Sequence, residues 1–497
     1  MVALTRDGAR QVLADTLEIR EKELPHLEKL WKYRRGKQPH PMEKMLEKVP
    51  QEVQDFLRFS RVNMIKLVLD VLAQSLYVEG YMDDRPDVEG QDPVWNAWQA
   101  NGQDSAQVGL HRAAFTFGAS YSIVLPGQPY PVIRNVTPRR LTAVYTPDDD
   151  MWPLHAVEVI ENGEQGGKKL YTYRVFDEAN VFTFTNENDE FEFVTEEQHR
   201  AGVVPVVRFV NVEDTDDEAG VESEIEQLIP IQDQIDVTTF QLEVTKHYQA
   251  FLRQYIIGWM PEDETEKRLA AASRFLTFED PDVKVGQLSQ AQLDGYLRSE
   301  DAKIRALAVI SQTPPHHFLG ELVNMSSDAL AAAEAGHRRK VGERERTLGA
   351  AHKQRFALIS RYMGLPVQED AEVRWADTEA RSFAAVVDGL GKLAQMLHVP
   401  VEALWEMVPG VTQRKLNEWK KLAEEQTDSI EELSVLLDRQ ADGLADSPVD
   451  DLKDKAEALG ILIRAGAERD WAAHQVGLAG AQFTDLIPTT LREPANE

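Results

Sequence analysis

The sequence contains no cysteine. Disulfides, thiolate-ligated zinc or iron–sulfur sites and cysteine nucleophiles are therefore excluded, and a reducing compartment suits the composition. Cationic residues are also in short supply, with 54 Lys+Arg against 84 Asp+Glu and a formal net charge of −30 at pH 7. A protein that grips nucleic acid or anionic lipid over its whole surface needs the opposite balance. Long apolar runs are missing too. The best window, Met64 to Val78, is broken by Lys66, Asp70 and Gln74, short of the roughly 18 uninterrupted apolar residues of a membrane span. Met1 to Gly8 lacks the apolar stretch of a secretion signal. No phosphate loop, dinucleotide fingerprint or nucleophile elbow occurs. The nearest string, Gly163 to Lys169, lacks the spacing and the Ser/Thr that would meet Mg²⁺, and reads as a hairpin turn.

What is present suffices for a large folded body. The chain has 497 residues, 42% of them hydrophobic, which at about 100–200 residues per domain implies two to four domains. The expectation is a soluble, acidic, multidomain protein.

The order of patterns along the chain is informative. Leu13, Leu17, Leu24, Leu27 and Trp31 recur at helical spacing, with Pro25 expected to kink or divide the segment. Further helices are expected over Arg61–Val78 and Val94–Phe117. From Ala119 to Val212 the chain turns to β-branched and aromatic residues cut by turn formers. Strands are expected at Tyr121–Leu125, Val132–Val136, His155–Glu161, Leu170–Phe176, Val181–Thr185, Phe191–Val194 and Val203–Val210, as an antiparallel sheet or small barrel. An acidic loop, Glu213 to Glu218, leads to a long helix over Glu222–Gly258. A mixed stretch follows, with a helix near Glu264–Ala272 and strands at Arg274–Phe278 and Val283–Leu288. Helix returns at Ser289–Ile310 and stops at Pro314-Pro315. A loop, His316–Ser326, precedes a helix from Ser327, a good N-cap, to Met363. Val367–Trp375 reads as a strand, and the chain is helical from Glu379, with breaks at Pro400, Pro409-Gly410 and Ser447-Pro448.

Few residues carry chemistry. His316 and His317, with Glu321, are the nearest approach to a metal cluster. Neighbouring histidines point apart on regular elements, so they are read as polar loop residues and no metal is assigned. The acidic runs 213–218 and 148–150 lack calcium-loop spacing and read as linker and turn. The helix 327–363 carries His337, Arg338, Arg339, Lys340, Arg344, Arg346, Lys353, Arg355 and Arg361 against Asp328, Glu334, Glu343 and Glu345. Two readings stay open for it: a stripe that meets phosphates or an acidic neighbour, or a solvated face. Ala472 to Leu478 imitates the turn of a helix-turn-helix, but its acidic flanks favour helix packing over DNA reading.

This order, together with the strings Arg61–Asp70, Gly202–Phe209, Glu224–Asp233, Ser311–Gly320, Asn324–Leu330 and Val373–Ser382, resembles the portal proteins of tailed bacteriophages with long non-contractile tails. The resemblance covers roughly residues 10–480. It implies a mostly helical α+β portal fold with wing, stem, clip and crown, closing into a homo-oligomeric ring of about twelve subunits. Residues 1–118 would be a helical wing and 119–221 its β-rich domain. Residues 222–258 and 289–312 would be stem helices, with the clip at 259–288 between them. Residues 313–327 would be a tunnel loop, 328–378 a long wing helix and strand, and 379–497 the crown and tail. The implied function is a non-enzymatic channel, without cofactor, through which double-stranded DNA enters and leaves the capsid. Its implied partners are the terminase large subunit, the head–tail adaptor, and the major capsid and scaffold proteins. It also implies no membrane partner and a place at the capsid vertex of the virion, after assembly in the host cytoplasm. Phe318, Leu319, Glu321, Val323, Asn324, Met325 and Ser326 would face DNA. Glu262, Asp263, Glu266, Lys267, Arg274, Asp282 and Lys284 would meet partners at the clip. Two other readings are a metal-dependent hydrolase using His316, His317 and Glu321, and another head assembly or scaffold protein.

Overall fold

The computed structural model describes residues 4–46, 51–82, 92–146, 151–165, 167–186, 190–212, 221–250, 254–257, 284–287, 293–320, 327–368, 370–376, 383–408, 411, 415–416, 418–423 and 448–478. The expected helix at 264–272, the strand at 274–278, the acidic runs at 148–150 and 213–218 and the break at 409–410 lie outside these residues. The chain divides into two compact units, Met1–Glu379 and Ala380–Glu497. Among the described residues no helix is long and apolar enough to cross a membrane.

The first unit opens with α1 (Arg6–Arg35). The Thr5 side chain caps it by accepting from the Gly8 amide, and Gly36, at φ 64°, ends it in the left-handed conformation. Pro25 does not divide the helix. It sits on the exposed side, where water can take over the carbonyl that the missing N–H leaves free. After α2 (Gln51–Phe59), Asn63 caps α3 (Met64–Gln74). The expected helix to Val78 stops short, and β1 (Val78–Met82) begins there. The expected helix over Val94–Phe117 is two, α4 (Pro93–Ala100) and α5 (Gln103–Phe117). They are separated at Gly102, whose φ of 62° breaks the helical path.

The β region forms two antiparallel sheets rather than one sheet or a barrel. Strands β2 (Ala119–Leu125), β3 (Val132–Val136) and β9 (Val206–Val210) form one, ordered β3-β2-β9. Strands β4 (Leu141–Val144), β5 (His155–Gln165), β6 (Lys168–Phe176), β7 (Asn180–Thr185) and β8 (Glu192–Gln198) form the other in sequence order. Period-two alternation gives the larger sheet two apolar faces. Ala156, Phe176 and Val181 join Tyr121, Ile123 and Val206 of the smaller sheet in one core. Val157, Tyr173, Val175, Phe182 and Phe184 face the other way, where Ala9 and Leu13 of α1 cover them. Phe182 and Phe184 are wholly buried, worth about 2–3 kcal/mol each.

The helical frame follows. It consists of α6 (Ile229–Ala250), β10 (Gln254–Ile257), β11 (Lys284–Gln287), α7 (Asp294–Ile310), a one-turn α8 (His316–Leu319), α9 (Ser327–Met363) and β12 (Glu372–Trp375). The helix expected over Glu222–Gly258 therefore gives way to strand before its end, because Gln254–Ile257 finds a partner in Lys284–Gln287. The expected strand at Val367–Trp375 shortens to β12, which pairs antiparallel with β1. The main core joins α1, α3, α4, α5, β9, α7 and α9 around Trp98, Phe115, Phe209 and Phe356.

In the second unit, helices run over Phe383–Leu397, Val401–Leu404, Pro448–Arg464 and Arg469–Gln475. Pro400 stands immediately before the second of these and Pro448 opens the third, both positions where a missing N–H costs nothing. Ala458 and Val476 make a small core with Leu459 and Leu462. The helix-turn-helix look-alike thus serves packing.

Candidate functional site

Helix α9 spans 37 residues, about 55 Å at 1.5 Å per residue. Its basic residues follow neither open reading as a group. His337, Lys340, Arg344, His352 and Arg355 are buried, whereas Arg338, Arg339, Arg346, Lys353 and Arg361 are exposed. Two buried anchors explain four of the five inward residues, and His337 meets Ser75 Oγ at 3.1 Å. At the first, Glu224 lies between Lys340 and Arg344. Lys340 Nζ donates to Glu224 Oε1 and, at 2.8 Å, to the Ser311 carbonyl. Arg344 donates to Asn211 Oδ1 at 2.8 Å and to Glu224 Oε2 at 3.4 Å. Burial pulls Lys340 below its ordinary value, with Glu224 opposing that shift. This knot joins the end of the β domain, the entry to α6, the end of α7 and α9.

Among the described residues, the second anchor has no acid. Arg355 is fully buried, 4.3 Å over the Trp98 ring and 5.1 Å from the Phe209 ring. It donates to His352 Nδ1 at 2.7 Å and to Gln103 Oε1 at 3.3 Å. His352 Nε2 lies 2.9 Å from His111 Nε2, and His111 Nδ1 lies 3.2 Å from the Leu76 carbonyl. Arginine can only donate, so His352 accepts at Nδ1 and carries its proton on Nε2. It therefore donates to His111 Nε2, and His111 donates from Nδ1 to Leu76. Both rings are neutral. Burial first, and the Arg355 charge second, push His111 down to about 3 and His352 well below its ordinary value.

The paired helices α6 and α7 lead to and from the excursion. Thr239 donates to Glu300 at 2.9 Å, Lys303 donates to the Gln234 carbonyl at 3.3 Å, and Lys303 also reaches Thr238. Partner numbers rise on one helix as they fall on the other, so the helices run antiparallel. At the near end of α6, Gln232 and Gln38 donate to Asp236 at 2.9 and 3.1 Å, and Tyr33 donates to Asp233 at 2.8 Å. Burial pushes Asp236 up to about 6, opposed by those donated bonds. At the far end, β10 and β11 pair from Gln254↔Gln287 to Ile257↔Lys284 and frame residues 258–283. Of the expected clip residues, Lys284 begins β11. Glu262, Asp263, Glu266, Lys267, Arg274 and Asp282 lie outside the described residues.

The segment after α7 is not all loop. Residues 316–319 form one helical turn ended by Gly320 at φ 65°. Phe318 and Leu319 are half-buried and pack on the main core. Glu321, Val323, Asn324, Met325 and Ser326 lie outside the described residues. His316 and His317 do not point apart. Their ring centroids are 4.4 Å apart, tilted by 34°. Their Nε2 atoms lie 3.1 and 3.6 Å from one oxygen of Glu334, on α9. The turn is laid against a second helix, and side-chain rotation brings both rings to the same carboxylate. Among the described residues, Glu334 is the acid in this cluster. Its distance along the chain hid it, because nothing local in the sequence says that the turn folds back on α9.

The family model described as phage portal protein, SPP1 Gp6-like, matches residues 13–432. The portal protein of Mycobacterium phage D29 is 27% identical over 366 residues, covering 69% of this chain and 74% of that protein. The portal protein of Mycobacterium phage L5 is 26% identical over 366 residues, with the same coverage. Among solved structures, a chain from the neck of an empty GTA particle computed with C6 symmetry superposes with a TM-score of 0.41 at 14% identity, over 71% of this chain and 90% of that one. A chain from the neck of a native GTA particle computed with C12 symmetry gives 0.41 at 15% identity, with the same coverage.

Proposed function

The chain belongs to the phage portal protein family of the SPP1 Gp6-like kind, and from that premise we propose that its copies close into a ring of about twelve around a channel for double-stranded DNA. The observation that carries this reading is the family match across residues 13–432, which takes in both sheets, α6, α7 and α9. The family is a structural, non-enzymatic component of the phage, which displaces the hydrolase reading.

The excursion framed by β10 and β11 is the clip, which meets the terminase and later the head–tail adaptor. The β10–β11 ribbon, at 254–257 and 284–287, is its base. The antiparallel α6 and α7 are the stem, and the segment 313–327 leads toward DNA, although the turn at 316–319 within it packs Phe318 and Leu319 on the main core. The first helices and the two sheets are the wing, and the second unit is the crown. Capsid and scaffold proteins surround the ring at the vertex of a virion assembled in the host cell.

The charge fits a conduit. Each cationic phosphate contact adds affinity and slows release. A chain of −30 gives a twelve-fold ring on the order of −360 before counterions. Burial of Lys340, Arg344 and Arg355 takes three cations of α9 out of reach of DNA, while Arg338, Arg339, Arg346, Lys353 and Arg361 stay exposed. The mass of the purified protein tests the ring reading. A ring should run at roughly 670 kDa, against 56.2 kDa for one chain. A particle that stays at the mass of one chain contradicts the reading.

A further inference from the structure

We propose that His316, His317 and Glu334 bind one divalent transition-metal ion of the zinc class, as a clip between the turn α8 and helix α9. One ligand atom from each of the three lies within 4.8 Å of the others. A tetrahedral zinc ion with bonds of about 2.0–2.2 Å holds its ligands about 3.3–3.5 Å apart, so the observed 3.1 and 3.6 Å spacings need only small side-chain rotations. The convergence that brings both rings to Glu334 also lets both present lone pairs to one cation once their Nε2 atoms carry no proton.

The donor set chooses the metal. Two imidazoles and a carboxylate suit zinc, nickel or cobalt, whereas calcium and magnesium prefer oxygen alone. His317 is exposed and His316 and Glu334 are half-buried, which gives the ion an entry path and leaves a position for water. His337, one turn further along α9, is not part of the set, because its Nε2 lies 3.1 Å from Ser75 Oγ. The proposed ion is structural. It fixes α8, and with it Phe318 and Leu319 on the main core, to the first turns of α9. This holds whether or not the ring reading is correct, since all three residues belong to one chain.

The test is titration of the tag-free, full-length protein with zinc chloride, read by calorimetry and by metal content after dialysis. The expected result is one ion per chain. His317→Ala and Glu334→Gln should each weaken binding tenfold or more, while His474→Ala, in the second unit, leaves it unchanged. Circular dichroism establishes that the variants are folded. Cobalt(II) supplies a second readout, since its visible absorption in a nitrogen–oxygen site should appear with the wild type and be lost with both variants. Failure of the wild type to take up zinc, or undiminished affinity in the folded variants, overturns the proposal. A ring-sized particle that binds no zinc would refute this site alone.

Discussion

The buried polar residues are the most specific feature at the scale of single side chains. Glu224 is the counter-charge for both Lys340 and Arg344. Removing one partner of a buried pair strands the other charges, at a typical cost of about 3–5 kcal/mol. Glu224→Gln should therefore lower the unfolding free energy by about that amount in denaturant titration, whereas a loss under 1 kcal/mol would contradict the role given to it. The chain His111–His352–Arg355 adds a pH dependence. An unfolded histidine titrates near its ordinary 6.5, and His111 in the fold titrates near 3. Between those values the unfolded state holds the extra protons, so this stability is intact above about 6.5 and is lost as the pH falls. Asp236 works in the opposite direction. Its folded value near 6 stands above an ordinary 3.8, so its carboxyl favours the fold at the acid end and loses that contribution as pH rises. Two histidines outweigh one carboxyl. The urea midpoint should fall from pH 7 to pH 5, and Asp236→Asn should make the fall steeper. A midpoint independent of pH would refute the neutral-ring assignment.

At the scale of elements, the legible parts were those whose signal is local. The helix expected over 327–363 matches α9 at both ends, and β-branched runs between turns marked most of the strands. Pairing was not legible. Tyr255 continues the helical spacing of Phe240, Val244, Tyr248 and Phe251, and only Lys284–Gln287, across the excursion, turns Gln254–Ile257 into a strand. Val78–Met82 likewise became β1 through β12, far along the chain. The histidine cluster failed for the same reason, since Glu334 reaches His316 and His317 only once α8 lies on α9. The ribbon invites a direct test. Successive amides of a strand alternate sides, so of Val285→Pro and Gly286→Pro one must delete a ladder bond and the other spares it. The disruptive substitution should weaken terminase or adaptor binding in a pull-down while leaving the ring mass unchanged. Equal binding by both variants would argue against the ribbon as the base of the clip.

At the scale of the whole molecule, the governing fact is the excess of 84 Asp+Glu over 54 Lys+Arg. A chain with a net charge of −30 repels a duplex on balance, and each added cation would contribute affinity and a steeper salt dependence. Such a chain is unsuited to holding DNA and suited to surrounding it. The most direct test of this account is an electron cryomicroscopy reconstruction of the purified protein. It should show a closed ring with an open axis wide enough for a duplex and walls lined mainly by Asp and Glu. A solitary compact particle at high concentration, or a bore lined by Lys and Arg, would contradict it.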